Sequence, residues 1–226
     1  MTGIEALGVK GHNGRMEDGT NVSFGADGSP DWEGAYLAGR MPWDKGEAAP
    51  PLVTYLEGAG EVRGRVLVPG CGLGHDVRVL ASHGAEEVVG LDISETAVAK
   101  ATALERSGNE RYVLGDLFDL EDEMRGHFDW VFEHTCFCAI DPSLRAEYVE
   151  AVYGALKPGG KILGVFFLDP YDDEHQPGQG PPHGATVEEI EELFGARFEP
   201  VEGWVPRVAY EEREGREWGA VFRRKD

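Results

Sequence analysis

The chain has 226 residues and a formal net charge of −21, with 42 acidic side chains against 21 basic ones. Its length suits one domain with a substantial buried core, and a hydrophobic content of 41% is ordinary for a globular protein. So acidic a surface repels phosphate backbones and anionic lipid, which argues against nucleic-acid and membrane substrates.

Nothing in the chain reads as a membrane span, since no apolar run approaches the roughly 20 residues required. Met1–Glu5 lacks the basic start and apolar stretch of a signal peptide. The three cysteines, Cys71, Cys136 and Cys138, are odd in number and scattered, so they do not form a disulfide framework. The expectation is a soluble, cytoplasmic protein, a monomer or weak homodimer.

Residues 1–30 are rich in Gly, Asn, Asp and Ser, which predicts partial order. Residues 31–60 carry Trp32, Tyr36 and Trp43 in a Gly/Pro-interrupted stretch, followed by a short helix around Leu52–Glu57. Residues 1–60 read as an arm over the rest, and 61–226 as the main domain. From Arg65 the chain alternates. Val66–Val68 is a strand, His75–His83 a helix, Val88–Leu91 a strand, and Ser94 caps a helix to about Arg106. Tyr112–Leu114 and Phe128–Phe132 are strands. Asp141-Pro142 opens a helix that ends near Leu156, where Lys157-Pro158-Gly159-Gly160 breaks it. Lys161–Leu168 is a buried strand. Thr186 begins a capping box for a helix to Phe194, and Phe198–Val205 and Trp218–Phe222 read as antiparallel strands. The alternation predicts an α/β, Rossmann-like fold: a seven-stranded, mostly parallel sheet with helices on both faces and a C-terminal antiparallel strand pair. The Pro-, Gly- and acid-rich segment Asp169–Gly184 follows a central strand, placed either as a lid or as a plain exposed loop.

Val66-Leu67-Val68-Pro69-Gly70-Cys71-Gly72-Leu73-Gly74-His75-Asp76 runs from a strand through a glycine-rich turn into a helix. A second apolar run ends on Asp92, about twenty residues further on, where a carboxylate can accept from ribose hydroxyls. Nicotinamide folds favour G-x-G-x-x-G, whereas the G-x-G-x-G order here better fits S-adenosylmethionine, which has no pyrophosphate to seat on the helix. Asp116 and Leu117 follow the third strand, where an acid can accept from an adenine amino group and an apolar neighbour can cover the ring. The alternative is that Asp116 only caps its loop.

Assembled, these residues resemble the thiopurine S-methyltransferase family of class I methyltransferases, nearest the thiol and halide methyltransferase branch. The resemblance is carried by Trp32-Glu33-Gly34-Ala35-Tyr36 through Met41-Pro42-Trp43-Asp44-Lys45-Gly46 and Pro50-Pro51-Leu52, by Pro69-Gly70-Cys71-Gly72 with Gly74-His75-Asp76, by Glu133-His134-Thr135-Cys136-Phe137-Cys138-Ala139-Ile140, and weakly by Gly180-Pro181-Pro182. It implies S-adenosylmethionine as cofactor, held by Trp32, Tyr36, Trp43, Gly70, Asp92, Asp116, Leu117 and His134. Cys71, Gly72 and Ile93 flank those positions and complete the candidate set with Glu133, which either accepts from the cofactor's ammonium or is a solvated carboxylate. Tyr36 stands where that branch has tryptophan and His134 where it has tyrosine.

The expected reaction moves a methyl group to a small soft nucleophile: a thiol, sulfide, methanethiol, selenium species or halide. His134 is either a base for a neutral thiol or only a hydrogen-bonding contact. His183 lies in the proposed lid and could face substrate. His12, His75, His83, His127 and His175 share no spacing, and Cys136-x-Cys138 beside His134 is too compressed to surround a zinc, so no metal is expected. Alternative readings are an O- or N-methyltransferase for a larger metabolite, a non-catalytic cofactor-binding protein, and, more distantly, an NAD oxidoreductase.

Overall fold

The computed structural model describes residues 22–25, 28–58, 60–171 and 180–226. The expected partial order of residues 1–30 therefore falls mostly outside the described residues. So do His12, His175 and the middle of the Asp169–Gly184 segment.

In chain order the regular elements are α1 (Trp32–Leu37), α2 (Pro50–Glu57), β1 (Arg65–Pro69), α3 (His75–Ser82), β2 (Glu87–Asp92), α4 (Glu95–Ala103), β3 (Glu110–Leu114), β4 (Phe128–His134), α5 (Arg145–Ala155), β5 (Leu156–Phe167), α6 (Val187–Gly195), β6 (Phe198–Trp204) and β7 (Glu217–Arg224). One sheet holds all seven strands in the order β3-β2-β1-β4-β5-β7-β6. The first five pair in parallel, and β7 runs antiparallel to both β5 and β6. This is the Rossmann-like α/β architecture expected from the alternation of patterns.

Apolar runs with both faces buried are what a parallel sheet demands. Val66 and Val68 pack on one side with Leu52, Val77 and Leu80 from α2 and α3. Leu67 and Val131 face the other side, with Val152 from α5 and Phe194 from α6. Between β1 and β4 the strand order changes direction. Open sheets of this kind receive ligands in the crevice outside the carboxyl ends of those strands.

Several boundaries differ from the sequence reading. The stretch around Trp32 forms a helix, because Asp31 accepts from the Gly34 N–H and closes its first turn. Asp141-Pro142 opens a 3₁₀ turn at Pro142–Leu144, and the α-helix begins only at Arg145. The helix from Ser94 stops at Ala103. Lys157–Gly160 does end α5, but as a hump inside β5 rather than a loop before it: Phe128 pairs with Leu156 and Trp130 with Lys161, so the extra residues bulge out around Gly159, whose φ is +73°.

Candidate active site

β1 delivers the glycine-rich turn to the carboxyl edge of the sheet. Gly70 and Gly72 both lie in the left-handed region, at φ +58° and +53°. A Cβ at Gly72 would stand 2.8 Å from the Tyr36 hydroxyl, and one at Gly70 would stand 3.2 Å from Cys136 Sγ. The turn is thus a bare-backbone cradle with Tyr36 over one side and the loop after β4 against the other.

Asp92, the last residue of β2, is buried beside it. Its Oδ2 accepts from the Gly72 N–H at 2.8 Å and its Oδ1 from the Ser94 N–H at 2.9 Å. Burial raises its pKa, partly offset by these backbone donors. A carboxylate offers about four lone-pair directions, and the Gly72, Ile93 and Ser94 N–H groups leave capacity for a hydroxyl of a bound ribose. Ile93, Leu114 and Phe118 are large apolar residues left 54%, 53% and 40% exposed at the ends of β2 and β3 and just beyond, flanking Asp116. Asp116 is itself exposed and caps the 3₁₀ turn Leu117–Asp119 by accepting from the Phe118 N–H. Leu117 is buried in the core. An apolar surface beside an acid suits an adenine ring, and the bare cradle with a pinned carboxylate suits its nucleoside. The residues present therefore fit S-adenosylmethionine.

The arm supplies aromatics. Trp43 packs edge-on against Trp32, with centroids 5.2 Å apart, and its indole N–H donates to the Tyr36 hydroxyl at 3.2 Å. Burial and the neighbouring Asp92 push the Tyr36 hydroxyl's pKa up, so it stays protonated. A six-residue helix such as α1 is unstable alone in water. It is held here by Glu33, which reaches the start of α4, and by Lys100, whose ammonium donates to the Tyr36 carbonyl.

At the end of β4 the backbone is strained. Thr135 is the one non-glycine with positive φ among the described residues, at +63°. It separates two neighbours with different surroundings. Glu133 points into the core, where its carboxylate accepts from the Phe137 N–H at 2.8 Å and from the Tyr148 hydroxyl; burial raises its pKa. His134 faces the cleft. Its Nδ1 lies 2.8 Å from Asp76 Oδ2 and its Nε2 lies 3.3 Å from the Arg213 guanidinium. A guanidinium only donates, so Nε2 is the acceptor and the proton sits on Nδ1, toward Asp76. Tyr210 lies over the same ring at a centroid distance of 6.2 Å. Arg213 in turn pairs with buried Glu217, whose carboxyl pKa is raised by burial.

Gly70, Gly72, Asp92, Tyr36, Trp43 and His134 thus converge on one crevice, with Cys71 in the same turn. Burial keeps the Cys71 and Cys136 thiols protonated. His183 is buried against the loop after β4, its N–H donating to the Cys138 carbonyl. Among the described residues no group of three or more His, Cys, Asp or Glu is arranged to hold a metal ion. Sequence reasoning missed Asp76, Tyr210, Arg213 and Glu217. The signal that could have found the last three is topological. β7 runs antiparallel to β5, with Glu217 opposite Phe167, so the segment before β7 sits at the same edge as the glycine turn.

Comparison with known proteins gives this crevice its family. The family profile described as Thiopurine S-methyltransferase (TPMT) matches residues 28–223. The chain belongs to the thiopurine S-methyltransferase family. The chain is 36% identical over 167 residues to a probable thiol methyltransferase 2 from Arabidopsis thaliana, covering 72% of this chain and 70% of that one. A thiocyanate methyltransferase 1 from Brassica oleracea is likewise 36% identical over 167 residues, with the same coverage of 72% and 70%. A thiopurine S-methyltransferase from Legionella pneumophila (strain Paris) is 28% identical over 175 residues, covering 70% and 77%. Among solved structures, a Burkholderia thailandensis 1,6-didemethyltoxoflavin N1-methyltransferase with bound S-adenosylhomocysteine shares the fold, with a TM-score of 0.68 over 85% of each chain at 22% identity. As a family member the chain is an S-adenosylmethionine-dependent S-methyltransferase of the thiol and thiopurine type. When bound, S-adenosylmethionine supplies a sulfonium-activated methyl group; the protein's part is to hold, align and dehydrate the reacting pair.

Proposed function

We propose that the acceptor is a small, soft nucleophile that arrives already ionised: a thiolate, sulfide, methanethiolate, selenium anion or halide. The observation that carries this reading is the state of His134. Both ring nitrogens are engaged, one by Asp76 and one by Arg213, so no free base faces the cleft. An acceptor that needed its proton removed in the transition state would find no lone pair to take it. The guanidinium beside the imidazole, although it is shared with Glu217, brings a positive group to this corner of a chain carrying −21 overall, which suits an anionic acceptor. In this reading His134 acts at the site as a wall and hydrogen-bonding partner, with its proton held on Nδ1. The names of the relatives, which include thiol and thiocyanate methyltransferases, support the same class of acceptor.

For the donor, Asp92 accepts from the ribose, Asp116 and the apolar residues Ile93, Leu114 and Phe118 receive the adenine, and the 70–72 turn holds the amino-acid tail. Trp32, Tyr36 and Trp43 close over the sulfonium, where cation–π contact contributes roughly 0.5–2 kcal/mol each. Because turnover discharges the sulfonium, that contribution favours binding over rate. The described residues of the 1–60 segment, from Val22 onward, then serve as the cap of a single methyltransferase domain spanning 61–226. The acidic surface and the absence of any helix long and apolar enough to cross a membrane, among the described residues, support a cytoplasmic enzyme for small molecules, working as a monomer or weak homodimer without a nucleic-acid partner.

The test is a panel of sulfide, methanethiol, aryl thiols, iodide, thiocyanate and a catechol, read by S-adenosylhomocysteine release. Turnover is expected with the soft anions. With iodide the rate should stay flat between about pH 6 and 9, and with thiols it should follow the ionisation of the thiol itself. Activity on the catechol alone would overturn the reading.

A further inference from the structure

We infer that Glu33 is a positioning residue for the donor site, latching the aromatic arm to the same serine that orients the ribose-binding carboxylate. Ser94 is fully buried and divides its polar groups three ways. Its N–H donates to Asp92 Oδ1 at 2.9 Å, its hydroxyl donates to Glu33 Oε2 at 2.6 Å, and its Oγ accepts from the Ala97 N–H at 3.0 Å. Glu33 Oε2 also accepts from the Thr96 N–H at 3.0 Å, and Oε1 accepts from the Thr96 hydroxyl. One carboxylate on α1 therefore satisfies three donors at the first turn of α4, the positive end of that helix. The bonds to Ser94 and Thr96 hold its pKa below the ordinary carboxylate value, so it is ionised at neutral pH.

Two consequences follow from this sharing. Without the Glu33 acceptor the Ser94 side chain keeps only its bond from the Ala97 N–H, and the first turn of α4, which carries the N–H that holds Asp92, loses its anchor to the arm. At the other end, α1 keeps only the Lys100 bond to the Tyr36 carbonyl as its polar tie to α4. Tyr36 stands directly over Gly72, so loosening α1 moves the residue that covers the glycine turn. Arm docking and donor binding are then one event: each favours the other through Ser94. His134, Arg213 and the acceptor corner lie on β4 and before β7 and take no part in this latch.

The inference rests on Asp92 as the ribose acceptor, and the experiment separates the two claims. Glu33→Gln is titrated with S-adenosylhomocysteine by calorimetry and assayed at varied donor and acceptor. Loss of charge-assisted bonds should raise the Kd for S-adenosylhomocysteine and the KM for S-adenosylmethionine about ten-fold, while the acceptor KM and the melting temperature stay near wild type. Ser94→Ala should produce a similar loss, and the double variant should be no weaker than the worse single one, since both break the same chain of bonds. Should Glu33→Gln fail to fold, Thr96→Val removes one hydroxyl donor and leaves the backbone intact; it should raise the Kd about three-fold. Full additivity, or an unchanged Kd, overturns the latch. Asp92→Ala runs alongside: if it abolishes binding while Glu33→Gln leaves the Kd unchanged, the ribose assignment stands and the latch falls; if neither variant weakens binding, both fall together.

Discussion

Gly72 shows how much a single missing side chain can decide. Its φ of +53° costs an L-residue roughly 1–2 kcal/mol, and a Cβ would meet the Tyr36 hydroxyl. Gly72→Ala should therefore lose about that much stability in urea unfolding, and more in donor affinity, since Tyr36 must withdraw. Gly126 has a similar φ of +59° but open space around it, so its alanine variant should show the backbone cost with unchanged S-adenosylhomocysteine binding. If both variants bind equally well, Tyr36 does not guard the turn. At this scale, residues whose position is written in local spacing were legible: Gly72 and Asp92 follow from a turn and a strand end. Arg213 and Tyr210 were not, because they lie in an aperiodic stretch and gain their role only through β7 pairing with β5. Asp116 was legible as a choice; one of its oxygens caps its own turn, which leaves the carboxylate beside the exposed Phe118.

At the scale of elements, strands with both faces buried were readable from apolar runs, and their ends drifted by a residue or two. α1 was hidden because its stability is tertiary. Glycine and aromatic residues give it little intrinsic helicity, and Asp31, Glu33 and Lys100 fix it only once α4 is present. A comparable junction joins α5, α6 and the segment before α6. Arg145 on α5 is almost wholly buried, pairs with Glu189 of α6 at 2.5 Å, donates to the His183 and Gly184 carbonyls at 3.3 and 3.0 Å, and lies over the Phe137 ring. Lysine cannot reproduce that fork. Arg145→Lys should cost about 2–4 kcal/mol in urea unfolding, by leaving buried carbonyls and a carboxylate unpaired. A loss within ~0.5 kcal/mol would show the junction to be dispensable. The described end of Asp169–Gly184, at Gly180–Gly184, is anchored to α5 and to the loop after β4.

Across the whole molecule, three carboxyls inside the fold, Asp92, Glu133 and Glu217, have pKa values raised by burial. For Glu133 the folded chain holds the proton more tightly than the unfolded chain does. Its stabilising contribution is complete below the ordinary glutamate value of 4.5 and is lost as pH rises through the folded value. Glu133→Gln keeps an acceptor for the Phe137 N–H and can donate its amide N–H to the oxygen of a turned Tyr148 hydroxyl. Its stability relative to wild type should therefore increase from pH 4.5 toward neutrality in matched urea titrations. A difference that is constant with pH would show that Glu133 does not titrate with folding.

The reversal of β7 also divides the crevice along the chain. Residues through β4 contain the glycine turn, Asp92 and the aromatic arm, the side proposed for the methyl donor. The opposite wall needs Tyr210, Arg213 and Glu217, which reach His134 only after the last strand has slotted between β5 and β6. The two walls of the crevice are thus written at opposite ends of the chain, and the strand that closes the sheet is the one that brings the second wall to His134.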